Sequence, residues 1–232
     1  TGLEALHNFV KSSYNTPDTA IKYAIEAVDY ATQKKDELWM AKSYNLLAIT
    51  HYYKGDLIPC KQNLSKSLKL YLKLKNQPGI AICYNGLGVV NYDQGKLYDA
   101  LQLYIKSLRI KQKTTDTASI AMTLNNIGNV YKDLEKFDQS LEYYVKSLEL
   151  KEAVQDKHGI AMTLNNIGLL HHDFQKYEQA QSYYSKSLEL KQEINDLHGE
   201  AMTLNNIGLT YELQENYSKA LDYYQQSIVI RE

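Results

Sequence analysis

The chain is poor in residues that break or staple structure. Its 232 residues include three Pro, eleven Gly and two Cys. Two cysteines cannot build a disulfide-stapled mini-protein or a four-thiolate zinc site. So few helix breakers over this length point to helices. No run of eighteen apolar residues occurs, so the sequence holds no membrane-spanning helix, and no charged n-region with an apolar h-region opens it. Neither charge dominates: 26 basic against 27 acidic side chains leave a net −1, which argues against a general polyanion binder. Phe (three) and Trp (one) are scarce, and 21 Tyr carry nearly all the aromatic surface. Hydrophobic residues at 44% are enough to bury a core rather than leave the chain disordered. Thr1 in place of Met suggests a fragment or a processed chain.

What is present is repetition. AMTLNNIG stands at 121–128, 161–168 and 201–208, and the same frame gives AICYNGLG at 81–88 and AKSYNLLA at 41–48. Residues 121–160 and 161–200 agree at 22 of 40 positions without a gap. A fixed period of this size is the mark of a repeat architecture. The chain reads as a single array of six units: 1–40, 41–80, 81–120, 121–160, 161–200 and an incomplete 201–232.

Numbered from Ala121 as position 1, each unit carries two helical stripes. Apolar or small residues fall at positions 4, 7, 8 and 11 (Leu124, Ile127, Gly128, Tyr131), and again at 17, 20, 21, 24, 27 and 28 (Phe137, Ser140, Leu141, Tyr144, Ser147, Leu148). Position 36 is always a capping residue: Asp36, Asn76, Asp116, Asp156, Asp196. Pro17, Pro59 and Pro78 all fall where a first helical turn tolerates a missing N–H. Gly at position 8 costs about 1 kcal/mol inside a helix. Small residues at position 20 are expected to face it, with aromatics at 11, 17 and 24 filling the flanks. Tyr143, Tyr183 and Tyr223 at position 23 form a second stripe expected to pack against an adjoining unit.

The spacing seen in Leu164, Ile167, Gly168, Tyr177, Ala180, Tyr184 and Ser187 resembles the tetratricopeptide repeat, over essentially the whole chain. The resemblance implies an all-α, right-handed solenoid of helix-turn-helix units whose first helices form the inner wall. Two departures stand out. The period is 40 rather than 34, implying a longer second helix or an extended linker, and position 27 is mostly Ser rather than Ala. Long-period versions resemble repeat regions of bacterial signalling proteins, such as histidine kinases and cyclases, and of peptide-binding adaptors.

At 100° per residue, positions 2, 5, 6, 9, 12 and 13 of the first helix oppose its core stripe. Position 5 reads Asn45, Asn85, Asn125, Asn165 and Asn205; position 6 adds Asn126, Asn166 and Asn206, and position 9 adds Asn129. Position 2 carries Met122, Met162 and Met202. A carboxamide pairs with backbone N–H and C=O without demanding a sequence, and Met adapts to varied apolar side chains. These twelve residues are therefore the candidate site, and an extended segment of a partner protein is the expected ligand. The alternative for position 5 is a lock between successive units.

Catalytic and cofactor chemistry finds no footing. Consecutive His171 and His172 diverge by about 100° on a helix and cannot share a metal. His158 and His198 are expected in linkers, and Cys60 and Cys83 as buried thiols. Gly86-Leu87-Gly88 lies within a helix, so it is no nucleotide fingerprint, and no phosphate loop, nucleophile elbow or HExxH appears. No cofactor and no enzyme activity are expected. Only Lys42 and Lys132 fall on the inner wall, which disfavours a carboxylate clamp. Residues 41–80 carry a net +6, and Lys66, Lys69 and Lys73 form an outer row without interleaved aromatics, so nucleic acid is not expected. That row is either a solvated face or a dock for an acidic partner or another copy. The last helix, running to Glu232, leaves Leu221, Tyr224 and Ile228 uncovered, which implies a continuing chain or a homodimer through this end. Two readings follow: a non-catalytic peptide-binding scaffold, or the sensory region of a larger signalling enzyme. Compartment stays open, since cytoplasm suits both thiols and a removed leader would suit export.

Overall fold

The computed structural model describes residues 2–231. Among them lie twelve helices and no strand, arranged as antiparallel pairs: α1 (Gly2–Ser12) with α2 (Pro17–Gln33), α3 (Glu37–Lys54) with α4 (Leu57–Lys73), α5 (Gln77–Asp93) with α6 (Leu97–Lys111), α7 (Thr117–Asp133) with α8 (Phe137–Ala153), α9 (Lys157–Asp173) with α10 (Tyr177–Glu193), and α11 (Leu197–Leu213) with α12 (Tyr217–Arg231). The expected end of the last helix at Glu232 lies outside the described residues. The forty-residue period is taken up by the helices, first and second alike, and not by an extended linker. Two 17-residue helices, such as α7 and α8, alternate with three-residue turns.

Each first helix after α1 starts where the capping residues stand. The side chains of Asp36, Asn76, Asp116, Asp156 and Asp196 accept from the backbone N–H three residues on, at 2.8–3.0 Å. Pro17, Pro59 and Pro78 all sit in first turns. Helices close through a left-handed residue, either Gly (Gly55, Gly95) or a polar side chain such as Glu135, Gln155, Gln175 or Asn195. Thr115, at the equivalent junction, does not adopt that conformation. A β-branched residue fits the left-handed region poorly. There α6 stops after 15 residues, and the turn runs from Gln112 to Asp116. The chain divides at this point into two compact units, residues 1–115 and 116–232.

Inside each of the last four pairs, the position-8 glycine meets the ring of the position-24 tyrosine. A Cβ on Gly88, Gly128, Gly168 or Gly208 would lie 2.6–2.7 Å from the nearest ring carbon of Tyr104, Tyr144, Tyr184 or Tyr224. The small residue at position 20 reaches the same glycine through its backbone in the fourth repeat, where Ser140 Oγ donates to the Gly128 carbonyl at 2.9 Å. Serine at position 27 now has a physical reason. Ser67, Ser107, Ser147, Ser187 and Ser227, all buried, donate to the carbonyls of Ala41, Ala81, Ala121, Ala161 and Ala201 at 2.7–2.8 Å. Each fastens the second helix of a pair to the first, a contact Ala could not make. The position-23 tyrosines stack on rings of their own repeats, Tyr143 on Tyr131, Tyr183 on His171 and Tyr223 on Tyr211, and Tyr183 and Tyr223 also join core clusters that include residues of the preceding repeat. On α12, Leu221 and Ile228 are exposed, whereas Tyr224 covers Gly208.

Candidate inner face of the first helices

Within each unit, first helices of successive repeats touch: α1 with α3 and α3 with α5 in one, α7 with α9 and α9 with α11 in the other. Among the described residues of either unit, no two second helices do. Each unit therefore curls toward its first helices, and their shared face is the inner one.

On that face of the second unit, Met122, Met162 and Met202 stand about half exposed. Asn126, Asn166, Asn205 and Asn206 are half-buried, and Asn125 and Asn165 are buried. The amides form a chain from repeat to repeat. Asn166 Nδ2 donates to Asn125 Oδ1, and Asn206 Nδ2 donates to Asn165 Oδ1, each at 3.2 Å. Asn129 turns to its own repeat, where its Oδ1 accepts from the Tyr144 hydroxyl at 2.6 Å. In the first unit, Asn45 and Asn85 line a pocket of about 210 Å³ between α3 and α5.

Beneath the ladder lies a layer that periodicity alone does not announce. Lys151 Nζ donates to Thr163 Oγ1 at 2.7 Å, and Lys191 Nζ to Thr203 Oγ1 at 2.6 Å. Each Thr lies within reach of the preceding repeat's amide, Asn125 Oδ1 at 3.4 Å or Asn165 Oδ1 at 3.2 Å, as well as its own helix backbone. Burial pushes both ammonium pKa values down, and Asp156 and Asp196 pull them partway back. The pairing is visible in the sequence once known: Lys151 and Lys191 precede Thr163 and Thr203 by twelve residues, whereas Ala31 and Tyr71 precede Ser43 and Cys83.

Replacing Lys191 by Met keeps the aliphatic stem and removes a desolvated charge, so stability should move by no more than about 1 kcal/mol. The side-chain amide resonances of Asn165 and Asn206 should nevertheless shift in a ¹⁵N–¹H spectrum. Unmoved resonances would mean that the lysine does not hold the ladder.

The histidines expected in linkers open helices instead. His158 and His198 sit in the first turns of α9 and α11 and line one pocket with Met162, Met202 and Lys191. Among the described residues no three metal-ligating side chains converge. Cys60 and Cys83 are buried thiols pushed up to about 11 by desolvation, far from a reactive thiolate. In the outer lysine row, Lys66 covers the Tyr44 ring and Lys73 pairs with Glu37.

The profile of the Tetratricopeptide repeat family matches residues 39–113, 79–153, 119–193 and 159–232. The chain belongs to the tetratricopeptide repeat family. No curated protein matches it at the sequence level. Solved structures similar to this repeat protein include BtubC (BKLC) from P. vanneervenii, at 20% identity and a TM-score of 0.78, covering 93% of this chain and 91% of that one. The apo form of RapI is 17% identical with a TM-score of 0.76 over 100% and 98% of the two chains. A signal-transduction ATPase with a tetratricopeptide repeat sensor, from Pyrococcus horikoshii, is 20% identical with a TM-score of 0.81. That match covers 98% of this chain and 35% of the ATPase, so this chain spans about a third of it. At these identities the likeness is one of fold. Tetratricopeptide arrays are typically protein-interaction modules, and no helix here is long and apolar enough to cross a membrane, among the described residues.

Proposed function

We propose that this chain is a non-catalytic scaffold whose inner first-helix faces hold an extended segment of a partner protein. The observation that carries the reading is the juxtaposition of three half-exposed methionines with an amide ladder already fixed in register by its own hydrogen bonds. Asn166 and Asn206 each use one N–H on the neighbouring repeat. The second N–H and the carbonyl oxygen of each are the groups a peptide backbone would meet. Because the donors are held before binding, little side-chain entropy is lost when a ligand arrives. Asn125 and Asn165 serve this face mainly by positioning the position-6 amides. The likeness to an ATPase with a tetratricopeptide sensor favours, as a second reading, a regulatory region within a longer signalling protein.

The test is display of random 12-residue peptides, panned on the chain. Peptides selected by the unaltered protein should lose at least tenfold in affinity for the Asn126→Ala, Asn166→Ala, Asn206→Ala variant, while its far-ultraviolet circular dichroism stays unchanged. Affinity that survives the triple change overturns the reading.

A further inference from the structure

Resting on that reading, we propose that the inner face of the first unit, by itself, anchors one large aliphatic side chain of a partner segment, and that an acidic side chain of that segment lies beside it, near Lys11 and Lys42. Position 6 is where the ladder breaks. Asn126, Asn166 and Asn206 occupy it in the second unit, but Gly86 stands there on α5. Leu64 packs straight onto the bare backbone there, since a Cβ at Gly86 would lie 3.0 Å from Leu64 Cδ2, and no position-6 side chain stands over this part of α5. The result is the pocket of about 210 Å³, with Ile49, Ile82 and Val89 as walls, Leu64 below, and Asn45 and Asn85 among the residues that line it. Its walls offer no charged group, so what enters is apolar, and the Asn45 carboxamide suits the backbone of an extended chain beside it.

The charge beside the pocket selects the neighbour. A second hollow, of about 530 Å³, shares Asn45, Ile49 and Ile82 with the first and is lined by Lys11, Lys42, His7 and Trp39, with Glu4 its one carboxylate. Lys42 Nζ lies 4.5 Å from the Trp39 ring centroid. His7 is held neutral by burial and then by Lys11 and Lys42, which marks the local potential as positive. The whole unit repeats that sign: sixteen Lys and Arg against nine Asp and Glu, a net +7 over residues 1–115. A partner segment that places an aliphatic residue next to an acidic one satisfies both hollows at once.

The same display selection tests this separately from the groove itself, because peptides fused through their C-terminus offer only side-chain carboxylates. Selected peptides should pair Leu, Ile or Met with Asp or Glu within three residues. A synthetic representative should bind the Gly86→Asn variant, which restores the residue used in the later repeats, at least tenfold more weakly. It should also lose affinity for Lys42→Glu, with a shallower salt dependence. Selected peptides that lack the aliphatic–acidic pair, or that bind Gly86→Asn unchanged, overturn the anchor while leaving the groove reading to its own triple-Asn test. Selection of no peptide at all counts against both.

Discussion

Gly168→Val is expected to lower the melting temperature of the protein by on the order of 10 °C. Gly168 lies in the middle of α9, and a Cβ there would sit 2.6 Å from Cδ1 and Cε1 of Tyr184. The ring cannot give way. Tyr184 is fully buried and packs with Ala180 and Ile207 in one cluster. Overpacking of this kind costs about 1–3 kcal/mol for an added methylene, and Val adds more bulk than that. Helix propensity works the other way but is too small to compensate: Ala recovers about 1 kcal/mol over Gly, and Val less. Gly168→Ala should therefore destabilise less than Val. The second repeat shows how the conflict can be relieved, because there Ala48 and Leu64 stand where Gly and Tyr stand later and share a core cluster. Adding Tyr184→Leu to Gly168→Ala should recover stability relative to Gly168→Ala alone. Thermal unfolding followed by circular dichroism reads all three variants, and an unshifted transition for Gly168→Val would refute the close-approach account of the glycine.

Acid is expected to loosen the first unit between about pH 6.5 and pH 4. His7 is buried, its Nε2 lies 2.9 Å from Ser43 Oγ, and burial with Lys11 and Lys42 nearby lowers its pKa from 6.5 to about 4. The folded state thus holds the neutral ring where the unfolded chain already takes up a proton. Stability from this group is complete above the unfolded value of 6.5, falls as pH drops through the window, and levels off below the folded value. A gap of that size corresponds to about 3 kcal/mol. In the second unit, burial lowers His171 and His172 as well, so acid acts there in the same direction. Trp39, the one tryptophan of the chain, reports on His7 because their rings meet edge to face at 4.9 Å. Its fluorescence should change with a midpoint near pH 4, or earlier if α1 undocks first. A midpoint at 6.5 with no loss of thermal stability would show that His7 is not held neutral.

The family, the helix pairing and the caps were legible because each rests on local chemistry repeated many times. Asp and Asn one residue before a helix, Pro in first turns and apolar stripes at helical spacing need no tertiary partner to be read. That positions 2, 5 and 6 share one side of the first helix follows from helix geometry alone, whereas the burial of Asn125 and Asn165 does not. Two further things were not legible. The serine at position 27 looked like a plain departure from Ala until its hydroxyl was seen against a carbonyl 26 residues back. The lysine at position 31 carries no sign of burial in its own repeat, yet Lys151 and Lys191 lie buried and hydrogen-bonded to the next repeat's threonine.

By itself the sequence determined an all-helical repeat and the register in which amides and methionines recur, because a periodic pattern places side chains at known angles. Only the tertiary structure decided which atoms those amides spend on each other, where Gly86 opens a pocket, and that the chain divides near Thr115. Those outcomes depend on distances between side chains of different repeats, and the division coincides with the one junction whose β-branched residue does not take up the left-handed conformation used elsewhere.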